Sequence, residues 1–339
     1  MASPAEILGK TPSAPLAIGP HVLGGGAFLA PMSGVTDVVM RNIARRFGAS
    51  MTVTEMVAAE AYVEGDAQTL LRAEGCGLGP HMIQIAGRSP AAMARAARAA
   101  CDAGAAIVDL NMGCPAKKVV GGYAGASLMR DLPLAAAIIR AVVAAADRPV
   151  TLKMRLGWDE GSRNAPELAR IAQSEGVVLL TVHGRTRSQF YAGAADWAAI
   201  RQVKEAVAIP VVANGDCASL ADARSMLRAS GADGVMIGRA AVGQPWLVGQ
   251  IARGIAGETV HVPASERLAA ALEHYDGLLR LFGREQGVRH ARKHLSAYAE
   301  RSGSSQSAEL RARLVASEEP EEARALLAAL FERPRAEAA

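Results

Sequence analysis

Eight short apolar runs, separated by longer stretches with helical periodicity, constrain this fold more than any other feature of the chain. The runs are Phe28–Pro31, Met51–Thr54, His81–Ala86, Ala106–Leu110, Val150–Arg155, Val177–His183, Pro210–Asn214 and Gly234–Ile237. Their lengths suit strands, and the stretches between them carry helix signals. Ser89-Pro90 and Asn164-Ala165-Pro166 each place a polar cap before a first-turn proline, and Ser219 caps a helix that Gly231 closes. Strands alternating with helices pair in parallel through crossover connections. An open doubly wound sheet and a closed (β/α)8 barrel both satisfy this order. Eight strands within roughly 250 residues favour the TIM barrel.

After about Glu258 the pattern changes. Residues 263–331 contain no plausible strand and read as helices broken at Gly283, Gly287, Ser302–Ser305 and Pro320. The expected fold is α/β, a (β/α)8 barrel with a small C-terminal all-helical domain. The expected divisions are an extension over 1–25, ending in a short hairpin over the barrel base, a barrel over 26–258 and helices over 259–339. Half of the 339 residues are apolar, enough for a sizeable core, and the aromatic share of 4% with 34 glycines favours close helix–strand packing. Lys plus Arg exceeds Asp plus Glu by 37 − 33 = 4, which permits a nucleic-acid partner without establishing one. Cys76, Cys101, Cys114 and Cys217 form no CxxC pair, so neither a disulfide scaffold nor a zinc finger is expected, and no metal. The first ten residues lack a secretory pattern, and no apolar run would span a bilayer. A reducing cytoplasm is the expected location, and no oligomer is implied.

In a (β/α)8 barrel, reactive groups gather at the C-terminal ends of the strands. Gln84 lies in the third run, and Asn111 and Cys114 follow the fourth. Lys153 and Arg155 share one face of the fifth run, and His183 and Arg185 end the sixth. Asn214-Gly215-Asp216 ends the seventh and Gly238-Arg239 the eighth, the places where barrels often hold phosphate. Both glycines also suit simple tight turns. A lysine in an apolar strand must find an anion or desolvate at a cost of several kcal/mol, which points to a role for Lys153. Cys114 alone reads as a small buried hydrophobe, but Asn-Met-Gly-Cys-Pro places it on a loop at the barrel mouth. His183 alone is ambiguous between site and structure.

Six segments together carry a resemblance. They are Ala-Pro-Met-Ser-Gly-Val-Thr-Asp at 30–37, Asn-Met-Gly-Cys-Pro-Ala-Lys-Lys-Val at 111–119, Lys-Met-Arg-Leu-Gly-Trp at 153–158, His-Gly-Arg-Thr-Arg at 183–187, Ala-Asn-Gly-Asp at 213–216 and Met-Ile-Gly-Arg-Ala-Ala at 236–241. In this order they resemble the tRNA-dihydrouridine synthases, above all the bacterial B-type subgroup, and residues 287–295 resemble that family's RNA-binding helices. The resemblance implies bound FMN, NADPH (or NADH) as reductant and a uridine of the tRNA D-loop as substrate. It implies that Pro31, Met32 and Ser33 lie against the flavin, with Gln84, Lys153 and His183 beside its ring. Asn214, Gly215, Asp216, Gly238 and Arg239 would hold its ribityl-phosphate end. Cys114 would donate the proton, Asn111 and Arg155 would hold the uracil near Tyr191, and Arg289, Arg292 and Lys293 would contact tRNA. Two departures stand out: Ser33 replaces the commoner Ala, and the stretch at 121–128 differs from the usual one, leaving the conformation of the lid, 117–128, open.

The residue types suit that chemistry. Reducing uridine adds a hydride at C6 and a proton at C5, and no side chain supplies hydride. A thiol is mostly protonated at neutral pH and can serve as an acid. Asn111 offers a donor and an acceptor to a uracil edge, and Arg155 offers donors to a carbonyl. Arg284, Arg289, Arg292, Lys293 and Arg301 form a basic stretch that, taken alone, reads as a solvated helix face, while Glu318, Glu319, Glu321 and Glu322 form an acidic block. Two other readings compete. One is an FMN barrel for a free pyrimidine, like a dihydroorotate dehydrogenase. The other is a silent tRNA-binding protein, against which the intact Cys114, Lys153 and His183 argue.

Overall fold

The computed structural model describes residues 16–304 and 306–331. An antiparallel hairpin, β1 (Leu16–Ile18) and β2 (His21–Leu23), precedes the barrel. The barrel strands are β3 (Ala27–Leu29), β4 (Met51–Thr52), β5 (Val57–Ala58), β6 (Met82–Ala86), β7 (Ile107–Met112), β8 (Val150–Arg155), β9 (Leu179–His183), β10 (Val211–Asn214) and β11 (Gly234–Ile237). All are parallel, in the order β4-β3-β11-β10-β9-β8-β7-β6-β5.

Each of the eight runs read from the sequence supplies barrel backbone. The second is split. Its start, β4, pairs with β3, while β5, just beyond it, pairs with β6. Between them Val53 bridges Met82, and Thr54 N–H donates to the Met82 carbonyl at 3.1 Å, closing the ring. One stretch of chain thus turns the corner between two neighbours, so the eight positions of the barrel are filled by nine short strands.

The helices up to the tail are α1 (Val38–Arg46), α2 (Ala59–Val63), α3 (Ala67–Ala73), α4 (Pro90–Asp102), α5 (Lys117–Gly121), α6 (Leu132–Ala145), α7 (Ala165–Ser174), α8 (Trp197–Ala206), α9 (Leu220–Ser230) and α10 (Leu247–Ile255). Alanine lets them approach the sheet and each other closely. Ala92, Ala96, Ala97 and Ala100 of α4 are buried, as are Ala135, Ile138, Ile139 and Val142 of neighbouring α6. The hairpin plugs the other end, where Leu16, Ile18 and Leu23 join Phe28, Ile107, Leu179 and Val212 in one apolar cluster. Ser89 and Ser219 cap α4 and α9 as their positions suggest, and Gly231 ends α9 at φ 65°. Asn164 precedes α7 but does not cap it by side chain. Its amide donates to the Met129 carbonyl at 2.7 Å instead.

The tail holds α11 (Ala264–Arg301), α12 (Ser307–Ala316) and α13 (Pro320–Phe331). Helix α11 is two helices joined at Gly283, whose φ of 76° and ψ of 166° are not helical. The chain doubles back there. A Cβ on Gly287 would lie 2.7 Å from the Leu279 Cα, although eight residues of unbroken helix would separate the two by about 12 Å. The expected break at Gly287 is therefore incorrect. Gly287 stays helical, and its lack of a side chain lets the two halves meet. Tyr275, Leu278, Leu295, Tyr298, Leu314 and Leu327 form the tail core, which also takes in Ile43 of α1 and Trp246 of the barrel.

Candidate active site

The strand ends open onto a cavity of about 710 Å³. Pro31, Met32, Ser33, Gln84, Asn111, Cys114, Lys153, Arg155, His183, Tyr191, Asn214, Gly215, Asp216, Gly238 and Arg239 all line it. Seven separate stretches of sequence thus converge on one space, as parallel strands ending at one rim require.

A hydrogen-bonded chain runs along the wall below Cys114. Buried Asp109 accepts from Thr151 Oγ1 and from Gln84 Nε2, both at 2.6 Å. Gln84 Oε1 accepts from Asn111 Nδ2 at 2.7 Å, and Asn111 Oδ1 accepts the backbone N–H groups of Gly113 and Cys114 at 3.2 and 3.0 Å. These bonds fix which end of each amide faces which neighbour. They also use the Asn111 acceptor, so Asn111 shapes the Cys114 loop rather than offering both functions to a ligand. Arg155, buried, is engaged likewise. It donates to the carbonyls of Gly113, Thr186 and Phe190 at 2.8–2.9 Å, which leaves its Nη2 group.

Lys153 donates to Asn214 Oδ1 at 3.2 Å, and Asn214 donates in turn to the Met236 carbonyl at 2.8 Å. Burial, then the neighbouring Arg155, pull the lysine pKa down to about 8. His183 is pushed to about 2, first by burial and then by Lys153, Arg155, Arg185 and Arg239, so it is neutral. Among the described residues, Lys153, Arg155, Arg239 and Arg301 line the cavity against one carboxylate, Asp216, so its wall is electropositive.

Gly215 at φ 119° and Asp216 at φ 58° turn the chain at the end of β10. A Cβ on Gly215 would come 2.9 Å from the His183 ring, so only glycine fits this approach. Asp216 is not free to meet a ligand. It holds Arg185 through both carboxylate oxygens, at 3.0 and 2.5 Å, and Arg239 at 3.1 Å, so its part is to hold two guanidinium groups in place. Arg239 lies over the Tyr191 ring, 4.7 Å from its centroid.

Asp109 and Thr151 are site-supporting residues that the sequence does not single out, and Arg185, read there as a strand-end residue, is held by Asp216. Asp109 was visible as a carboxylate in an apolar strand, two residues before Asn111 and so on its face. From the tail, Arg301 also lines the cavity, whereas Arg289, Arg292 and Lys293 do not. Arg289 pairs with Glu285 at 2.8 Å and Arg292 with Glu318 at 3.4 Å, while Lys293 lines a second, smaller cavity. Arg284 holds Glu319, so the acidic block folds back onto the basic stretch. In the lid, α5 is followed by a 3₁₀ turn at Gly125–Arg130, tied to the thiol loop by Ala126 N–H donating to the Cys114 carbonyl at 3.1 Å.

The family model for dihydrouridine synthase (Dus) matches residues 28–334. The chain belongs to the dihydrouridine synthase family. A probable tRNA-dihydrouridine synthase of Rhizobium leguminosarum bv. phaseoli is 51% identical over 300 residues, 88% of this chain and 93% of that one. The tRNA-dihydrouridine synthase B of Xanthomonas campestris pv. campestris is 46% identical over 318 residues, 93% of this chain and 95% of that one. Among solved structures, morphinone reductase in complex with tetrahydroNAD superposes with a TM-score of 0.52 at 16% identity, covering 75% of this chain and 93% of its own. Histamine dehydrogenase from Rhizobium sp. 4-9 gives 0.55 at 16%, covering 72% and 48%. These two share the barrel fold. The dihydrouridine synthase family is one of enzymes, and this chain is a member.

Proposed function

We propose that the protein reduces a uridine of the tRNA D-loop to 5,6-dihydrouridine, with FMN held in the barrel mouth and NADPH (or NADH) as reductant. The observation that carries this reading is the convergence of Cys114, Lys153 and the glycine turns after β10 and β11 on one cavity.

The cavity fits a flavin mononucleotide. The electropositive wall around Lys153 suits a ring that carries negative charge when reduced. The Gly215 and Gly238 turns with Arg239 suit a phosphate, and no protein acceptor engages the N–H groups of Gly215 or Gly238 among the described residues. Pro31, Met32 and Ser33 would lie along the ring, with Gln84, Lys153 and His183 at its polar edge. Asn214 and Asp216 would complete the other end, Asp216 by holding Arg239. FMN, when bound, supplies the hydride that no side chain can.

The chain's own groups do the rest. Hydride addition at C6 leaves enolate-like charge toward C4, which the Arg155 Nη2 group stands ready to stabilise, and Tyr191 offers the base a stacking face. Cys114 Sγ delivers the proton to C5, its loop held by Asn111. The uridine must leave its stack to reach this cavity. The helical region 259–339 would bind tRNA, with Arg301 at the cavity edge and Arg289, Arg292 and Lys293 further out, and the barrel over 26–258 would hold the flavin. A cytoplasmic place for the enzyme follows from its substrate.

The test is direct. Purified protein should be yellow, release FMN rather than FAD on denaturation, and form dihydrouridine in bulk tRNA but not from free uridine or orotate. Turnover of a free pyrimidine with no action on tRNA would overturn the reading. So would a colourless protein that takes up no added FMN.

A further inference from the structure

Asp37, His274 and His294 meet where the barrel and tail pack together, and no step of the proposed reaction uses them. All three are buried, with exposures of 6%, 2% and 2%. Asp37 caps α1, its Oδ1 accepting the Met40 N–H at 3.0 Å, which leaves Oδ2 facing the tail. That oxygen lies 3.6 Å from His274 Nε2 and 3.9 Å from His294 Nε2. The two imidazoles stand on opposite halves of α11, brought together by the reversal at Gly283, with ring centroids 4.4 Å apart. Neither Nε2 has a hydrogen-bond partner, and an unpaired buried polar atom is costly.

We propose that Asp37 Oδ2, His274 Nε2 and His294 Nε2 bind a divalent transition-metal ion of the zinc type. The three ligand atoms all lie within 4.8 Å of one another, close enough to contract around a single ion. Two imidazoles and one carboxylate are a donor set that zinc accepts, with water as the fourth ligand. His274 Nδ1 contacts the buried Tyr298 hydroxyl at 3.1 Å, the kind of outer contact that orients a ligating imidazole. A cavity of about 290 Å³ reaches Asp37 and His294 and gives a path for the ion and room for the water. The ion would pin the tail to α1. It would also steady the segment before it, where Thr36 Oγ1 accepts the Met32 N–H at 2.8 Å. This site stands independently of the reaction proposed above.

The test uses untagged, full-length, flavin-loaded protein, stripped with chelator, mixed with a slight excess of zinc chloride and passed over a desalting column. Wild type should retain one zinc per chain and melt several degrees higher with zinc than without. His294→Gln, with unchanged FMN content and circular dichroism, should lose both effects. Cobalt(II) in the wild type should give visible d–d bands without the thiolate charge-transfer band of cysteine ligation, a readout that needs no variant. Zinc retention no greater than in His294→Gln, no thermal shift, or a thiolate band would each overturn the proposal.

Discussion

Asn111 grips Cys114 by its main chain and leaves the thiol free: Asn111 Oδ1 accepts the Cys114 N–H at 3.0 Å, while one of the two Nδ2 hydrogens goes to Gln84 Oε1. A buried carboxylate, Asp109, stands at the far end of the same chain of amides. The position of the thiol is therefore set from inside the barrel, through groups that need not touch substrate.

That relationship separates two roles for Asn111. If it places the thiol, Asn111→Ala should lower kcat for dihydrouridine formation about 10-fold or more and leave KM for tRNA nearly unchanged. Steady-state kinetics on unmodified tRNA check this. A raised KM with kcat intact would instead make Asn111 a uracil-reading group.

Cys114→Ala should slow dihydrouridine formation by about 10²-fold or more, the scale for loss of an acid, while NADPH still reduces the bound flavin at close to the wild-type rate. Stopped-flow bleaching of the flavin separates the two half-reactions. Product formation at the wild-type rate would remove Cys114 from the role of proton donor.

Lys153 makes a prediction about stability and pH. Burial and Arg155 lower its pKa from 10.5 to about 8 in the folded chain. Between those two values the unfolded chain binds a proton that the folded chain does not, so this group makes stability rise with pH across that window. Below pH 8 the whole penalty is present. In flavin-free protein, Lys153→Met should therefore be the more stable form near pH 7, by about 3 kcal/mol, and the gap should close toward pH 10.5. Urea unfolding of both proteins at pH 7 and pH 10 measures it. A gap that is constant or widens with pH contradicts a buried, depressed lysine.

How far the sequence reveals this molecule depends on how local the determining contacts are. The eight strand runs were legible because each is a short apolar segment between helix caps, a pattern readable within a window of about a dozen residues. The split of the second run was not, since Val53 leaves one neighbour for another only when the ring closes on Met82. Gly283 and Gly287 look alike in sequence, and only the packing of Leu279 against Gly287 shows which one breaks the helix. The cavity-lining set was legible through its motifs. Asp109 carried a signal, a carboxylate among apolar residues, that pointed to no partner. The acidic block and the basic stretch looked unbalanced along the chain, and only the fold pairs Arg284 with Glu319.

The tail provides the last prediction, because the structure ranks its cations differently from their spacing. Arg284, Arg289 and Arg292 each already hold a glutamate, so neutralising an RNA phosphate would require them to exchange partners. Arg301 stands at the C-terminal end of α11 and lines the cavity that would receive the uridine. A phosphate next to a turned-out nucleotide must lie close to that rim. Each phosphate contact releases condensed counterions, so Arg301→Ala should weaken tRNA binding and make the slope of log K against log salt shallower by about 0.7–0.9. FMN content should not change, since Gly215, Gly238 and Arg239 of the proposed phosphate end remain. Arg289→Ala with Lys293→Ala should also weaken binding, with a slope change of no more than about two and a smaller loss per residue than at Arg301. Filter binding across a salt series measures all three proteins. Unchanged affinity and slope in Arg301→Ala would show that this arginine does not face the RNA, and unchanged values in the double variant would make the outer stretch solvated surface.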